Sequence, residues 1–148
     1  MLKLENHIVD ISEIDSLALK ISNSLIVGDI LMLSGEMGVG KTTLSRSIIN
    51  NLFFLNKLDK PDSINSPTYP ILLTYDLSLY EIYHYDFYRI KNIRELEELN
   101  FFENIKNSIT LIEWPDLLLN LPFKQKHYLI KLDLYSEFKR TINIKFFE

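Results

Sequence analysis

Apolar residues along this chain recur with two periods, 2 and 3.6, and the changes between them mark out its elements. Leu2, Leu4, His7, Ile8 and Val9 predict a short first strand. Ile14, Leu17, Ala18, Ile21 and Leu25 then follow at helical spacing, with Asp10 or Ser12 available as a cap. The Gly28-Asp29 turn leads into Ile30-Leu31-Met32-Leu33, a continuous apolar run of the buried-strand type. A second helix is predicted over 42–55, followed by a polar loop over 56–65. Residues 69–76 and 80–88, joined by Leu77-Ser78-Leu79, read as a β-hairpin. Alternation in its second arm places Ile82, His84 and Asp86 on one face and Tyr83, Tyr85 and Phe87 on the other. Asn92 caps a predicted helix through Asn100, with Phe101, Phe102 and Ile105 extending its apolar stripe. A short buried strand over 109–115 follows, and two alternating segments over 127–135 and 139–147 predict a closing antiparallel hairpin. No internal repeat or linker interrupts this order, so one domain over 1–148 is expected.

Between the Ile30–Leu33 run and the second helix stands Gly35-Glu36-Met37-Gly38-Val39-Gly40-Lys41-Thr42-Thr43, which fits the phosphate-binding pattern G-x-x-x-x-G-K-[ST]. The spacing has a physical reason. Glycines let successive backbone N–H groups turn inward around an anion, and the helix that follows presents its positive end to the same point. Lys41 then reaches the terminal phosphates, and the Thr42 hydroxyl sits on Mg²⁺.

Two carboxylates close apolar strands. Ile109-Thr110-Leu111-Ile112-Glu113 has the layout in which a strand-end acid holds Mg²⁺ directly or through water. Asp86 ends a strand so apolar that its charge must be exposed or paired. His84, on the same face, reads as an ordinary satisfied strand residue. Ser66-Pro67-Thr68-Tyr69 is a shaped turn entering a strand, or equally a loop whose threonine senses Mg²⁺ and the terminal phosphate. Asn56-Lys57-Leu58-Asp59 matches the guanine-reading pattern N-K-x-D. It stands directly after the second helix rather than after a late strand, so it is rejected as chance.

Composition narrows the classes without changing this picture. Hydrophobic residues make up 47% and charged residues 24% of 148, ordinary for a soluble globular domain. The absence of cysteine removes disulfides, thiolate metal sites and thiol nucleophiles. No apolar run approaches the roughly 20 residues of a membrane span. The amino-terminal residues lack the layout of a secretory signal, and a cytoplasmic location is the expectation. A net charge of −4 opposes tight nonspecific binding of nucleic acid. Residues 76–120 carry nine acidic and four basic side chains, whereas 121–148 carry three acidic and six basic. Such polarity suits docking to a partner, although solvated faces of ordinary domains share it.

In order, the Gly35–Thr43 loop, Ser66-Pro67-Thr68-Tyr69, His84-Tyr85-Asp86-Phe87-Tyr88-Arg89 and Ile112-Glu113-Trp114-Pro115 resemble the TsaE (YjeE) family. Its members are small bacterial ATPases needed for the threonylcarbamoyl-adenosine modification of tRNA. The resemblance runs from the first helix to the final hairpin. It implies a P-loop NTPase-like three-layer α/β/α fold, with a mostly parallel central sheet, antiparallel hairpin additions and nucleotide at the carboxyl ends of the parallel strands. It implies that Met37, Gly38, Val39, Gly40, Lys41, Thr42 and Thr43 bind ATP, and that Thr42 and Glu113 hold Mg²⁺. Lys41, Asp86 and Glu113 would form the catalytic set, with Asp86 on a metal-bound water or orienting the attacking one. Ser66-Pro67-Thr68 would act as a switch and Trp114 would shape the site edge. Arg140 matches an arginine near the nucleotide in the family's last strands. Glu36-Met37 and Val39 depart from the Asp-Leu and Ala common there, in a loop that works through its backbone. The implied partners are the TsaD- and TsaB-type subunits of the threonylcarbamoyl-transfer complex, which hydrolysis would reset or drive, with tRNA met only through that complex. The rivals are a small kinase of nucleosides or nucleotides and a regulatory module that binds nucleotide without turnover.

Overall fold

The computed structural model describes residues 2–148, with Met1 outside the described residues. In chain order its strands are β1 (Leu4–Asp10), β2 (Ile30–Ser34), β3 (Leu72–Asp76), β4 (Glu81–Asp86), β5 (Ser108–Glu113), β6 (His127–Ser136) and β7 (Lys139–Phe147). The helices are α1 (Ile14–Ser24), α2 (Lys41–Leu55), α3 (Ile93–Glu98), α4 (Phe101–Asn104) and α5 (Asp116–Leu119).

All seven strands join one sheet in the order β1-β7-β6-β2-β5-β4-β3. The inner four, β6, β2, β5 and β4, run parallel, while β7 and β1 extend one edge antiparallel and β3 the other. The continuous apolar run in β2 follows from its position, because helices cover both faces. Leu31 and Leu33 pack among Leu17, Ile21, Leu44 and Ile48 of α1 and α2. Ile30 and Met32 pack on the opposite face with Leu96, Phe101 and Leu118 of α3, α4 and α5. Each such side chain contributes about 1.5–3 kcal/mol of burial. The expected three layers are therefore present, one of long helices and one of short helical pieces.

The chain leaves β2 through α2 on one face toward β4 and β5, then crosses from β5 to β6 over the other through α5. The carboxyl end of β2 is consequently a topological switch point, where open α/β sheets bind ligands. Register brings the strand ends together there, since Glu113 pairs with both Leu33 of β2 and Asp86 of β4.

Local departures from the periodicity have local causes. The first hairpin arm begins at Leu72 rather than at Tyr69, because Pro70 lacks a donor and Ile71 sits at φ +68° with its N–H on the Pro67 carbonyl. The helix capped by Asn92, whose side chain accepts from the N–H groups of Arg94 and Glu95, breaks at Asn100. Asn100 adopts the left-handed conformation that asparagine tolerates, and α4 restarts the helix. β6 belongs to the parallel core beside β2 as well as to the final hairpin. Helix α5 has too few residues for its period to be read. Among the described residues no helix is long and apolar enough to cross a membrane.

Tyr85 on β4 is fully buried, with its hydroxyl accepting from Asn104 Nδ2 at 3.0 Å. Burial pushes this phenol up to about 12, against an unfolded value near 10. The folded state thus retains the proton longer. The corresponding stability is fully present below pH ~10 and is lost as pH rises from ~10 to ~12. Thermal melts between pH 9 and 11.5 should show a steeper alkaline decline for the wild type than for Tyr85→Phe. Parallel curves would refute this role for Tyr85.

Candidate active site

β2 delivers the chain to Gly35 at the rim of the sheet, and the residue type is set by contact. A Cβ at Gly35 would stand 2.5 Å from the Leu132 carbonyl oxygen of β6 and 2.9 Å from Val39 Cγ1, at a backbone φ of +148°. Only glycine allows the loop to lie this close to β6. The loop ends at Gly40, whose φ of +117° starts α2 without a side-chain cap. The first amides of the helix are thereby left for an anion. Val39 points the other way, into the core, so only its backbone can serve a ligand.

Lys41 lies folded back over this loop. Its Nζ donates to the carbonyls of Gly35 at 2.6 Å and Glu36 at 2.9 Å, and sits 3.9 Å from the centre of the Trp114 ring. Burial lowers the amine below its ordinary range, opposed by the nearby charges of Glu113, Asp86 and Asp116. Trp114 holds its place at φ +57°, unusual for a bulky residue, and its ring packs on Tyr88 with centroids 4.9 Å apart.

Glu113 is 2% exposed and has both carboxylate oxygens engaged. Oε2 accepts from Thr42 Oγ1 at 2.7 Å and Oε1 accepts from His84 Nε2 at 2.8 Å. Asp86, 4% exposed, accepts from Thr68 Oγ1 on Oδ2 and from the Tyr88 N–H on Oδ1, both at 2.9 Å. Ser66 continues the chain of hydroxyls with a 2.7 Å bond to Thr68. Arg89 Nη2 donates to the Thr68 carbonyl at 2.7 Å and also to that of Tyr69.

Lys41, Thr42, Thr68, Asp86, Glu113 and Trp114 line one cleft of about 370 Å³, together with Met37, Gly38, Gly40, Thr43 and Tyr88. All eleven come from the Gly35–Thr43 loop, the Thr68 turn and the carboxyl ends of β4 and β5, and the volume suits a small organic ligand. Two of the expected ligand residues do not line it. Val39 and Arg140 meet behind the loop, where Arg140 Nε donates to the Val39 carbonyl at 2.8 Å and its Nη1 to that of Ser136 at 3.1 Å. Arg140 therefore braces the loop against the β6–β7 turn.

The donor set suits a hard divalent cation shared with phosphate. Thr42 Oγ1 and Glu113 Oε2 are adjacent oxygens, as Mg²⁺ prefers. Among the described residues no three His, Asp or Glu side chains converge to hold an ion alone. The N-K-x-D stretch lies at the far end of α2, where Asn56 Nδ2 donates to the Leu52 carbonyl and to Tyr80 Oη. The fifteen-residue length of α2, about 22 Å, holds it away from Lys41. Spacing alone does not mark His84 and Arg89 as site residues. The strand alternation that set His84 on the face of Asp86 was the available signal for the former.

The family model described as threonylcarbamoyl adenosine biosynthesis protein TsaE matches residues 8–142. The chain belongs to the TsaE family. A Rickettsia felis protein named tRNA threonylcarbamoyladenosine biosynthesis protein TsaE is 36% identical over 147 residues, covering 97% of this chain and 78% of the relative. A Borreliella burgdorferi protein of the same name is 35% identical over 104 residues, with 69% and 71% covered. The crystal structure of Bacillus subtilis YdiB superposes with a TM-score of 0.61 at 23% identity, covering 97% of this chain and 83% of that one, and so shares the fold. The TsaE match takes in every cleft residue from Met37 to Trp114.

In this TsaE-family chain, Gly35→Ala should lower stability by about 1–3 kcal/mol through strain and overpacking against β6. Urea denaturation measures it. An unchanged midpoint would mean that the loop does not rest on Leu132.

Proposed function

We propose that the protein is a Mg²⁺-dependent ATPase that serves as accessory subunit of the threonylcarbamoyl-transfer complex. Family membership gives it a part in threonylcarbamoyladenosine biosynthesis of tRNA. The observation that carries the ATPase reading is the convergence of Lys41, Thr42, Asp86 and Glu113 on one cleft at the switch point of the sheet.

Each residue then has a task that its present contacts support. Backbone amides from Met37 to Thr43 bind the phosphates, and Lys41 exchanges the Gly35 and Glu36 carbonyls for phosphate oxygens. Thr42 and Glu113 hold Mg²⁺, whose charge offsets that building up on the phosphates during transfer. Asp86 would accept a hydrogen bond from the attacking water, and Thr68, bonded to Asp86, would report the state of the phosphate. Trp114 covers Lys41 and keeps bulk water from it. The TsaD- and TsaB-type proteins are the partners, and turnover is slow without them.

The rival kinase reading needs a free basic group to neutralise the phosphates at the acceptor side. Arg89, the cation that reaches the Thr68 loop, is already bound to the Thr68 and Tyr69 carbonyls. Phosphate release should rise when the TsaD- and TsaB-type proteins are added. Rapid γ-phosphate transfer to a nucleoside would replace the proposal with the kinase. Lys41→Ala should weaken ATP binding about 10- to 100-fold by equilibrium titration, from loss of charge-assisted bonds. Asp86→Asn should cut turnover by about 10²–10⁴ with affinity nearly unchanged. Unaltered ATP affinity in the Lys41 variant would show that the loop does not bind phosphate.

A further inference from the structure

We infer that His84 is a positioning residue, which aims the Glu113 carboxylate at Thr42 through its Nε2–H. The inference rests on the proposed Mg²⁺ role of Glu113 and Thr42 and deepens it. A glutamate side chain has three rotatable bonds, so a carboxylate at a strand end can turn away unless something holds it. One oxygen of Glu113 is held by the imidazole at 2.8 Å, and the other is thereby presented to the Thr42 hydroxyl at 2.7 Å. The backbone dictates the pairing. β4 and β5 run parallel with Asp86 opposite Glu113, and His84, two residues earlier, emerges on the same face.

An ordinary core histidine would satisfy both ring nitrogens. His84 is fully buried, yet its Nδ1 has no partner. The polar capacity of the ring is therefore directed at one carboxylate, in an environment where an unpaired nitrogen is costly. Asp86, by contrast, is held by Thr68 and the Tyr88 amide, so the two carboxylates are oriented by separate groups. Residues that orient a metal's carboxylate or imidazole ligands commonly change metal affinity 10- to 100-fold when removed, which is roughly the effect expected of His84.

The test compares binding of a fluorescent ADP analogue in EDTA with binding across a Mg²⁺ titration. In His84→Leu the apparent Mg²⁺ affinity should fall about 10- to 100-fold, with affinity in EDTA unchanged. His84→Gln, whose amide places a donor near the position of Nε2, should recover most of it. In a Glu113→Gln background His84→Leu should have no further effect. Nitrogen-15 NMR of the wild type should find the Nε2–H tautomer of His84, a readout that stands even if a variant fails to fold. Undiminished Mg²⁺ affinity in His84→Leu, an additive effect in the Glu113→Gln background, or an Nδ1–H tautomer would overturn the inference. A wild type whose ADP affinity ignores Mg²⁺ would instead remove the metal site itself, and the role of His84 with it.

Discussion

A buried carboxylate is stable only when its charge is compensated, and Glu113 meets that requirement by drawing three elements together. It sits at the end of β5, takes a bond from Thr42 at the start of α2, and takes another from His84 in β4. Removing a carboxylate from water costs several kcal/mol unless hydrogen bonds replace the lost hydration. Those bonds are available only if β4, β5 and α2 meet with the observed register. The same constraint that keeps Glu113 tolerable therefore fixes the distances across the cleft.

Around this point the loop between β2 and α2 is shaped from two sides. From behind, Gly35 lies against β6 and Arg140 bonds the Val39 carbonyl. From the front, Trp114 lies over Lys41 and packs on Tyr88. Two residues nearby have left-handed backbones, Ile71 at φ +68° and Trp114 at +57°. Such residues persist where the surroundings over-determine them, and they gather at functional sites. Arg89 holds the carbonyls of Thr68 and Tyr69 from outside, while Ser66, Thr68 and Asp86 form one hydrogen-bonded line into the cleft. Lys41 without phosphate satisfies itself on the carbonyls of its own loop, which ligand oxygens can replace at little structural cost.

Much of this was legible in residue patterns because it depends on neighbours in sequence. The loop from Gly35 to Thr43 follows from glycine spacing, and β2 and α2 from their flanking periodicities. The face of β4 that carries Asp86 follows from alternation alone. Where the reading stopped short, the cause lay in contacts between distant segments. β6 reads as the arm of a closing hairpin, since its alternation says nothing of the parallel partner β2 beside it. Arg140 matches a nucleotide-side arginine by motif, yet its guanidinium turns to the loop's rear. His84 reads as a core residue because a lone histidine carries no spacing to interpret.

By itself the sequence determined which groups could take part: a glycine-shaped anion loop, a lysine, two strand-end acids and a hydroxyl at Thr42. These are local properties, set by backbone freedom and by side-chain chemistry over a few residues. Only the tertiary structure decided how they meet. The pairing of Asp86 with Glu113 across β4 and β5, and the bonds from Glu113 to His84 and Thr42, join residues 27 to 71 positions apart. The reason is that sheet order and register depend on how both faces are buried, and a hydrogen bond of 2.7 Å forms only once that burial has fixed the strands.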